Sequence, residues 1–189
     1  MEGFGIDVNQ KKWVREPSPD PSGIYQREME QGGTEYVLAF AGTNDNNDWK
    51  QDLNNFFAWG SASQYGNAIT IGNKFASFYD GYEKTIVGHS LGGGLATAAA
   101  MATGIKAITF NPASMSDYTK NQLCIQNASD KNITNYVVWG EPLSFIQNAV
   151  GMSLPGNTIY LDAPKSSFSP ITNSIKAHRI ETIKNILVK

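Results

Sequence analysis

A single cysteine, Cys124, and only two histidines, His89 and His178, stand in this chain of 189 residues. One cysteine excludes an internal disulfide framework and any cysteine-based zinc cluster. Two histidines leave little material for a His-rich metal site, and the carboxylates are too scattered to suggest one, so no metal is expected. Charge is also sparse and balanced: Lys and Arg total 15 against 17 Asp and Glu, a net of −2 at pH 7. Such a chain has no electrostatic footprint for nucleic acid or an anionic membrane. The longest small-to-apolar run, 91–105, is 15 residues of mostly Gly and Ala, too short and too weakly apolar to span a bilayer. The N-terminus, MEGFGIDVNQKKW, has no apolar core between basic and small flanks, so it does not read as a Sec signal. The expectation is a soluble protein, secreted or delivered by a signal-peptide-independent route or inside a larger precursor, and otherwise cytoplasmic.

What is present is globular composition: 41% hydrophobic residues, 17% charged, 18 Gly and 8 Pro. The length suits one domain with a core that needs no staple. The turn-rich PSPDPSG at 17–23 divides an N-terminal segment or linker, 1–22, from a single domain, 23–189. Within that domain, Gly23–Met29 and Thr34–Phe40 read as strands joined through Gly32–Gly33, a hairpin. Ala68, Ile71, Phe75, Phe78 and Tyr79 form a helical stripe. A short strand at Thr85–Val87 precedes an Ala- and Leu-rich helix at Leu91–Met101. Further strands are expected at Lys106–Phe110, Ile133–Trp139 and Thr158–Leu161, with helices near Ser116–Gln126 and Pro142–Val150. A final amphipathic helix carries Ile175, Ile180, Ile183 and Leu187. Strands alternating with helices predict an α/β fold whose sheet is mostly parallel and flanked by helices.

One motif carries chemistry. Gly88-His89-Ser90-Leu91-Gly92 satisfies G-x-S-x-G, a sharp strand-to-helix turn that lifts a serine hydroxyl above the sheet. Its context is right, because the strand KTIV precedes it and the 91–101 helix follows. The turn strains the serine backbone, and glycine two positions to either side avoids the clashes a side chain would make there. A phosphate-cradling reading fails on two counts: no Gly-Lys-Ser/Thr ending follows, and the glycines do not fit G-x-G-x-x-G.

Three blocks in order, EYVLAFAGTNDNNDWKQDL, TIVGHSLGGGLA and AITFNPAS, resemble the class 3 lipases of the α/β-hydrolase superfamily over roughly residues 24–180. The nearest likeness is to short phospholipase-like domains of bacterial secreted effectors and polymorphic toxins. Ala41 stands where the family usually has Arg before Gly-Thr.

A serine nucleophile needs a base, because its free hydroxyl is too weak at neutral pH. His89, adjacent to Ser90, should point away from the hydroxyl, which leaves His178. The superfamily's chain order of Ser, acid, then His agrees. The acid lies between them. Glu141, in a Gly-Glu-Pro-Leu context after the strand NYVVWG, resembles the family's acid site. Asp162, after TIYL, is the competitor, with Asp117 and Asp130 behind it. An oxyanion needs two preorganised donors. One is the backbone N–H of Leu91, and the resemblance supplies Thr43 in AFAGT as the other. Phe56, Phe57 and Trp59 mark an apolar run that is either a lid or substrate-facing segment, or core. Asp48, Trp49 and Asp52 match the family block and read as structural.

The resemblance implies a serine carboxylic-ester hydrolase acting on lipids without a cofactor, with phospholipase A activity as first choice. It also implies a transient membrane interface and, for an exported effector, a cognate immunity protein. A small-ester esterase, thioesterase or acyltransferase, or a catalytically silent interaction module, would use the same scaffold.

Overall fold

The computed structural model describes residues 14–15, 22–42, 62–149, 151–162 and 177–188. The expectations for Thr43, Asp48, Trp49, Asp52, Phe56, Phe57 and Trp59 fall outside these residues.

The Gly32–Gly33 turn makes the expected hairpin. Both glycines have positive φ, 85° and 94°, which residues with a Cβ rarely adopt. The turn joins β2 (Gly23–Glu28) to β3 (Thr34–Phe40), with Glu28 opposite Thr34 and Arg27 opposite Glu35. That register sets Arg27 Nε 2.8 Å from a Glu35 carboxylate oxygen across the ladder. A two-residue strand, β1 (Val14–Arg15), pairs antiparallel with β2 and so extends the sheet upstream of residue 23.

From β3 onward the sheet is parallel. β4 (Glu83–His89), β5 (Lys106–Phe110), β6 (Ile133–Val138) and β7 (Asn157–Leu161) follow in sequential order, completing seven strands among the described residues. β4 is longer than its apolar residues predict. Polar Glu83 and Lys84 join the ladder because β3 offers them paired backbone, at Glu35 and Tyr36.

Helices fill the crossovers. In α1 (Ala62–Phe78) the buried positions are Tyr65, Ala68, Gly72 and Phe75, a three-and-four spacing that makes one stripe. The next position in that series is Tyr79, so Phe78 turns to the flank and is 81% exposed. Placing Phe78 on the core stripe was therefore an error of one position. Truncating the buried Phe75 would cost about 3–5 kcal/mol. α2 (Leu91–Thr103) is buried almost throughout, including Ala96, Ala98, Ala99 and Ala100. Its small side chains allow close packing: a Cβ added to Gly72 would lie 2.9 Å from the Ala99 Cβ.

α3 (Asp117–Gln122) is shorter than expected. Ser116 caps it by accepting the Thr119 N–H at 3.1 Å, and Cys124, at φ 57°, turns the chain out of the helix. α4 (Pro142–Ala149) follows β6, and α5 (Ile180–Leu187) follows β7. Buried Val138, Ala177 and Ile183 pack with Phe110, Leu161, Ile180 and Ile186. This cluster docks α5 near the C-terminal ends of β5, β6 and β7, where open parallel sheets place their sites. Ile180, Ile183 and Ile186 share one face of the helix, and that face carries the preceding residues 177–179 to the sheet.

Candidate active site

Ser90 sits at the turn between β4 and α2 with φ 57° and ψ −124°. Four hydrogen bonds anchor this left-handed backbone, costly for a residue with a Cβ. The Ser90 N–H donates to the Phe110 carbonyl at 3.0 Å, and the Ser90 carbonyl accepts from Gly93 at 3.0 Å, Gly94 at 3.2 Å and Ala113 at 2.9 Å. The flanking glycines are required by space. A Cβ on Gly88 would fall 2.1 Å from the Gly92 carbonyl oxygen, and one on Gly92 would fall 2.3 Å from that of Phe40. The Leu91 N–H heads α2, where the first N–H groups have no acceptor within the helix.

His178 reaches this turn from the segment before α5. Its Nε2 lies 2.9 Å from Ser90 Oγ, and its Nδ1 lies 2.7 Å from Glu141 Oε2. A carboxylate only accepts, so Nδ1 carries the ring proton, and Nε2 is left to accept from the serine hydroxyl. The structure thus brings together Ser90, His178 and Glu141, three residues far apart in sequence.

Glu141 occupies the N-terminus of α4, just before Pro142. Its Oε2 accepts the Leu143 N–H at 3.0 Å, and its Oε1 accepts the Ser144 N–H. The side chain is 0% exposed, against 15% for His178. Burying a carboxylate is expensive unless it is paired and hydrogen-bonded. Here two helix N–H groups, the positive end of the helix dipole and the imidazole all supply that compensation.

The competing carboxylates are engaged elsewhere or exposed. Asp162 is exposed just beyond β7. Asp117 is in the first turn of α3, 3.0 Å from Lys120 Nζ, and Asp130 accepts the Gly156 N–H at 2.9 Å. Thr43 lies outside the described residues. Its neighbour Gly42 packs on the Ser90 turn, where a Cβ would stand 2.7 Å from the His89 carbonyl oxygen and 3.6 Å from Ser90 Cβ.

Sequence reasoning missed the residues that hold this arrangement from behind. His89 does not face the hydroxyl, but it is not idle: its Nε2–H donates to the His178 carbonyl at 2.7 Å. Burial first, then the neighbouring His178, hold its pKa down at about 4, so it is neutral at pH 7. Asn111, 0% exposed, donates to the carbonyls of Ala177 at 3.0 Å and His178 at 3.2 Å. Buried Gln147 spans from the Ser114 N–H to the Pro112 carbonyl and so fixes the loop that binds the Ser90 backbone. The available signal was position, since Asn111 directly follows a strand at its C-terminal end.

Among the described residues no helix is long and apolar enough to cross a membrane. A phospholipase-like family model, described as a Tle-like phospholipase domain, matches residues 8–181. The extracellular phospholipase A1 of Serratia liquefaciens is 42% identical over 129 residues, 68% of this chain and 38% of that protein. The chain therefore matches well under half the length of that relative. Among solved structures, a mutant form of MDLA from Penicillium cyclopium aligns with TM-score 0.50 at 15% identity, over 94% of this chain and 76% of that one. The Rhizomucor miehei lipase propeptide complex, in a deletion-mutant form, aligns with TM-score 0.51 at 13% identity, over 75% and 52%. At such identities the likeness shows the fold, which is that of the α/β-hydrolases.

Proposed function

The chain belongs to the family of Tle-like phospholipase domains, and on that premise we propose that it hydrolyses acyl esters of lipids, with phospholipids as substrate and phospholipase A chemistry. The observation that carries the proposal is the continuous path from Ser90 Oγ through His178, 2.9 Å and 2.7 Å long, to a buried Glu141.

In this reading Ser90 Oγ attacks the ester carbonyl while His178 Nε2 takes its proton. Glu141 stays ionised, holds the Nδ1–H tautomer and stabilises the imidazolium. The carbonyl oxygen gains a full negative charge, which the Leu91 N–H meets at the head of α2. Thr43, bonded to Gly42 beside the nucleophile turn, is assigned as the second donor. The imidazolium then protonates the departing alkoxide, leaving an acyl-serine and a lysolipid. Water, deprotonated by His178, attacks the acyl-serine, and collapse returns Ser90 and a fatty acid. Each step conserves atoms and charge without a cofactor.

Such an enzyme endangers the membranes of the cell that makes it. The proposal accordingly includes action at a lipid interface outside the producing cytoplasm and, for an effector, a cognate immunity protein. The name of the Serratia relative, an extracellular phospholipase A1, supports this placement.

Mass spectrometry of products from mixed phospholipid and triglyceride vesicles tests the substrate. Fatty acid and lysophospholipid are expected. Release of diacylglycerol from triglyceride with intact phospholipid would make the protein a neutral lipase, and turnover of short soluble esters alone would make it an esterase.

A further inference from the structure

The carbonyl oxygen of His178 accepts two side-chain hydrogen bonds, from His89 Nε2 at 2.7 Å and Asn111 Nδ2 at 3.2 Å. A backbone carbonyl has two lone pairs, so it can receive both donors at once. The Asn111 amide also donates to the Ala177 carbonyl at 3.0 Å, while its Oδ1 accepts the Val138 N–H at 2.9 Å. Its own N–H donates to the Tyr136 carbonyl at 2.8 Å. Asn111 therefore ties the end of β6 to Ala177 and to His178, which bears the imidazole. It does so at φ 41°, a backbone region in which Asn is enriched among residues with a side chain.

Both donors come from the frame that holds the nucleophile. His89 is bonded to Ser90, and Asn111 follows Phe110, whose carbonyl accepts the Ser90 N–H. The segment bearing His178 is also docked by the apolar face of α5, where Ala177, Ile180 and Ile183 pack against the sheet ends. We propose that His89 and Asn111 are positioning residues: they clamp the His178 backbone to the strand ends of the nucleophile and so hold the imidazole in register with Ser90 Oγ. This rests on the serine-hydrolase reading above. The clamp is also electrically quiet. Neutral His89, with its ring centroid 5.1 Å from that of His178, places no second positive charge beside the imidazolium formed during turnover.

The test compares His89→Met and His89→Gln, each in the native and the His178→Ala background, on a soluble short-chain nitrophenyl ester with thermal unfolding in parallel. Misplacing a base by about an ångström costs on the order of 10²-fold. His89→Met is therefore expected to lower kcat by about tenfold to a hundredfold with KM little changed. His89→Gln places an amide N–H close to the Nε2 position and should recover most of the loss. In the His178→Ala background, His89→Met should cost nothing further. Should His89→Met fail to fold, His89→Asn, whose amide ends short of the carbonyl, serves in its place. Unchanged kcat, or the same loss in both backgrounds, would overturn the clamp while leaving the hydrolase reading intact. Full activity of His178→Ala itself would overturn both.

Discussion

Glu141 accepts from the imidazole of His178 at 2.7 Å with the same oxygen that accepts the Leu143 N–H at 3.0 Å. One carboxylate thus caps a helix and orients a ring. The two tasks predict a double phenotype for Glu141→Gln. The amide oxygen can serve either the His178 and Leu143 donors or the Ser144 N–H, and in both orientations the NH2 group faces an N–H donor. Loss of the cap should lower stability by about 1 kcal/mol, read as a fall in Tm. Loss of the tautomer lock should lower kcat by up to about 10⁴-fold, read on any ester the enzyme accepts.

Asp162→Asn is the counterpart. This side chain is exposed beyond β7, so the change should alter kcat by less than about twofold and stability by no more than about 0.5 kcal/mol. A loss comparable to that of Glu141→Gln would make Asp162 the working acid.

The turn at Ser90 is sterically full. Gly88→Ala would drive a Cβ to 2.1 Å from the Gly92 carbonyl oxygen, a contact that backbone must move to relieve. Destabilisation above about 4 kcal/mol is expected, in the range reserved for overpacking and backbone strain. It would be seen as loss of soluble protein or of a cooperative melt. A native-like Tm would contradict the geometry of the elbow.

His89 makes stability depend on acid. Its pKa is 6.5 when free and about 4 here, lowered by burial and then by His178, with smaller opposing contributions from its bond to the His178 carbonyl and from the charge of Glu141. The unfolded chain therefore binds the proton first. The stabilisation from a neutral His89 is fully present above pH 6.5 and is lost progressively down to about pH 4. It amounts to at most about 3 kcal/mol, and less where water reaches the ring. Denaturant melts from pH 7 to 4 should show a steeper decline for the native protein than for His89→Gln, which does not titrate. Parallel declines would contradict the assignment.

The elbow, the hairpin and the parallel second half of the sheet were legible in the sequence because each rests on local rules. Glycine spacing, strand-to-helix order and apolar alternation lie within a dozen residues. The pairing of Glu141 with His178 was legible only as chain order, since 37 residues separate them and tertiary packing brings them together. The acid site is polar to the eye, yet Glu141 is buried because the first N–H groups of α4 receive it. Sequence patterning has no sign for that. Asn111 and His89 escaped for a related reason: each acts on a main-chain carbonyl, and main-chain acceptors leave no trace in residue type. The end of α3 at Gln122 and the outward turn of Phe78 were missed where an apolar pattern ran past its helix or drifted off its face.

The central claim is that Ser90 is a nucleophile activated by His178. It is tested most directly by mapping a fluorophosphonate adduct by peptide mass on the folded protein. One stoichiometric adduct on Ser90 is expected. Labelling should be absent in Ser90→Ala, which should also lose activity on the order of 10⁶-fold, and strongly slowed in His178→Ala. An adduct on another residue, or lipid hydrolysis that persists in Ser90→Ala, would contradict it.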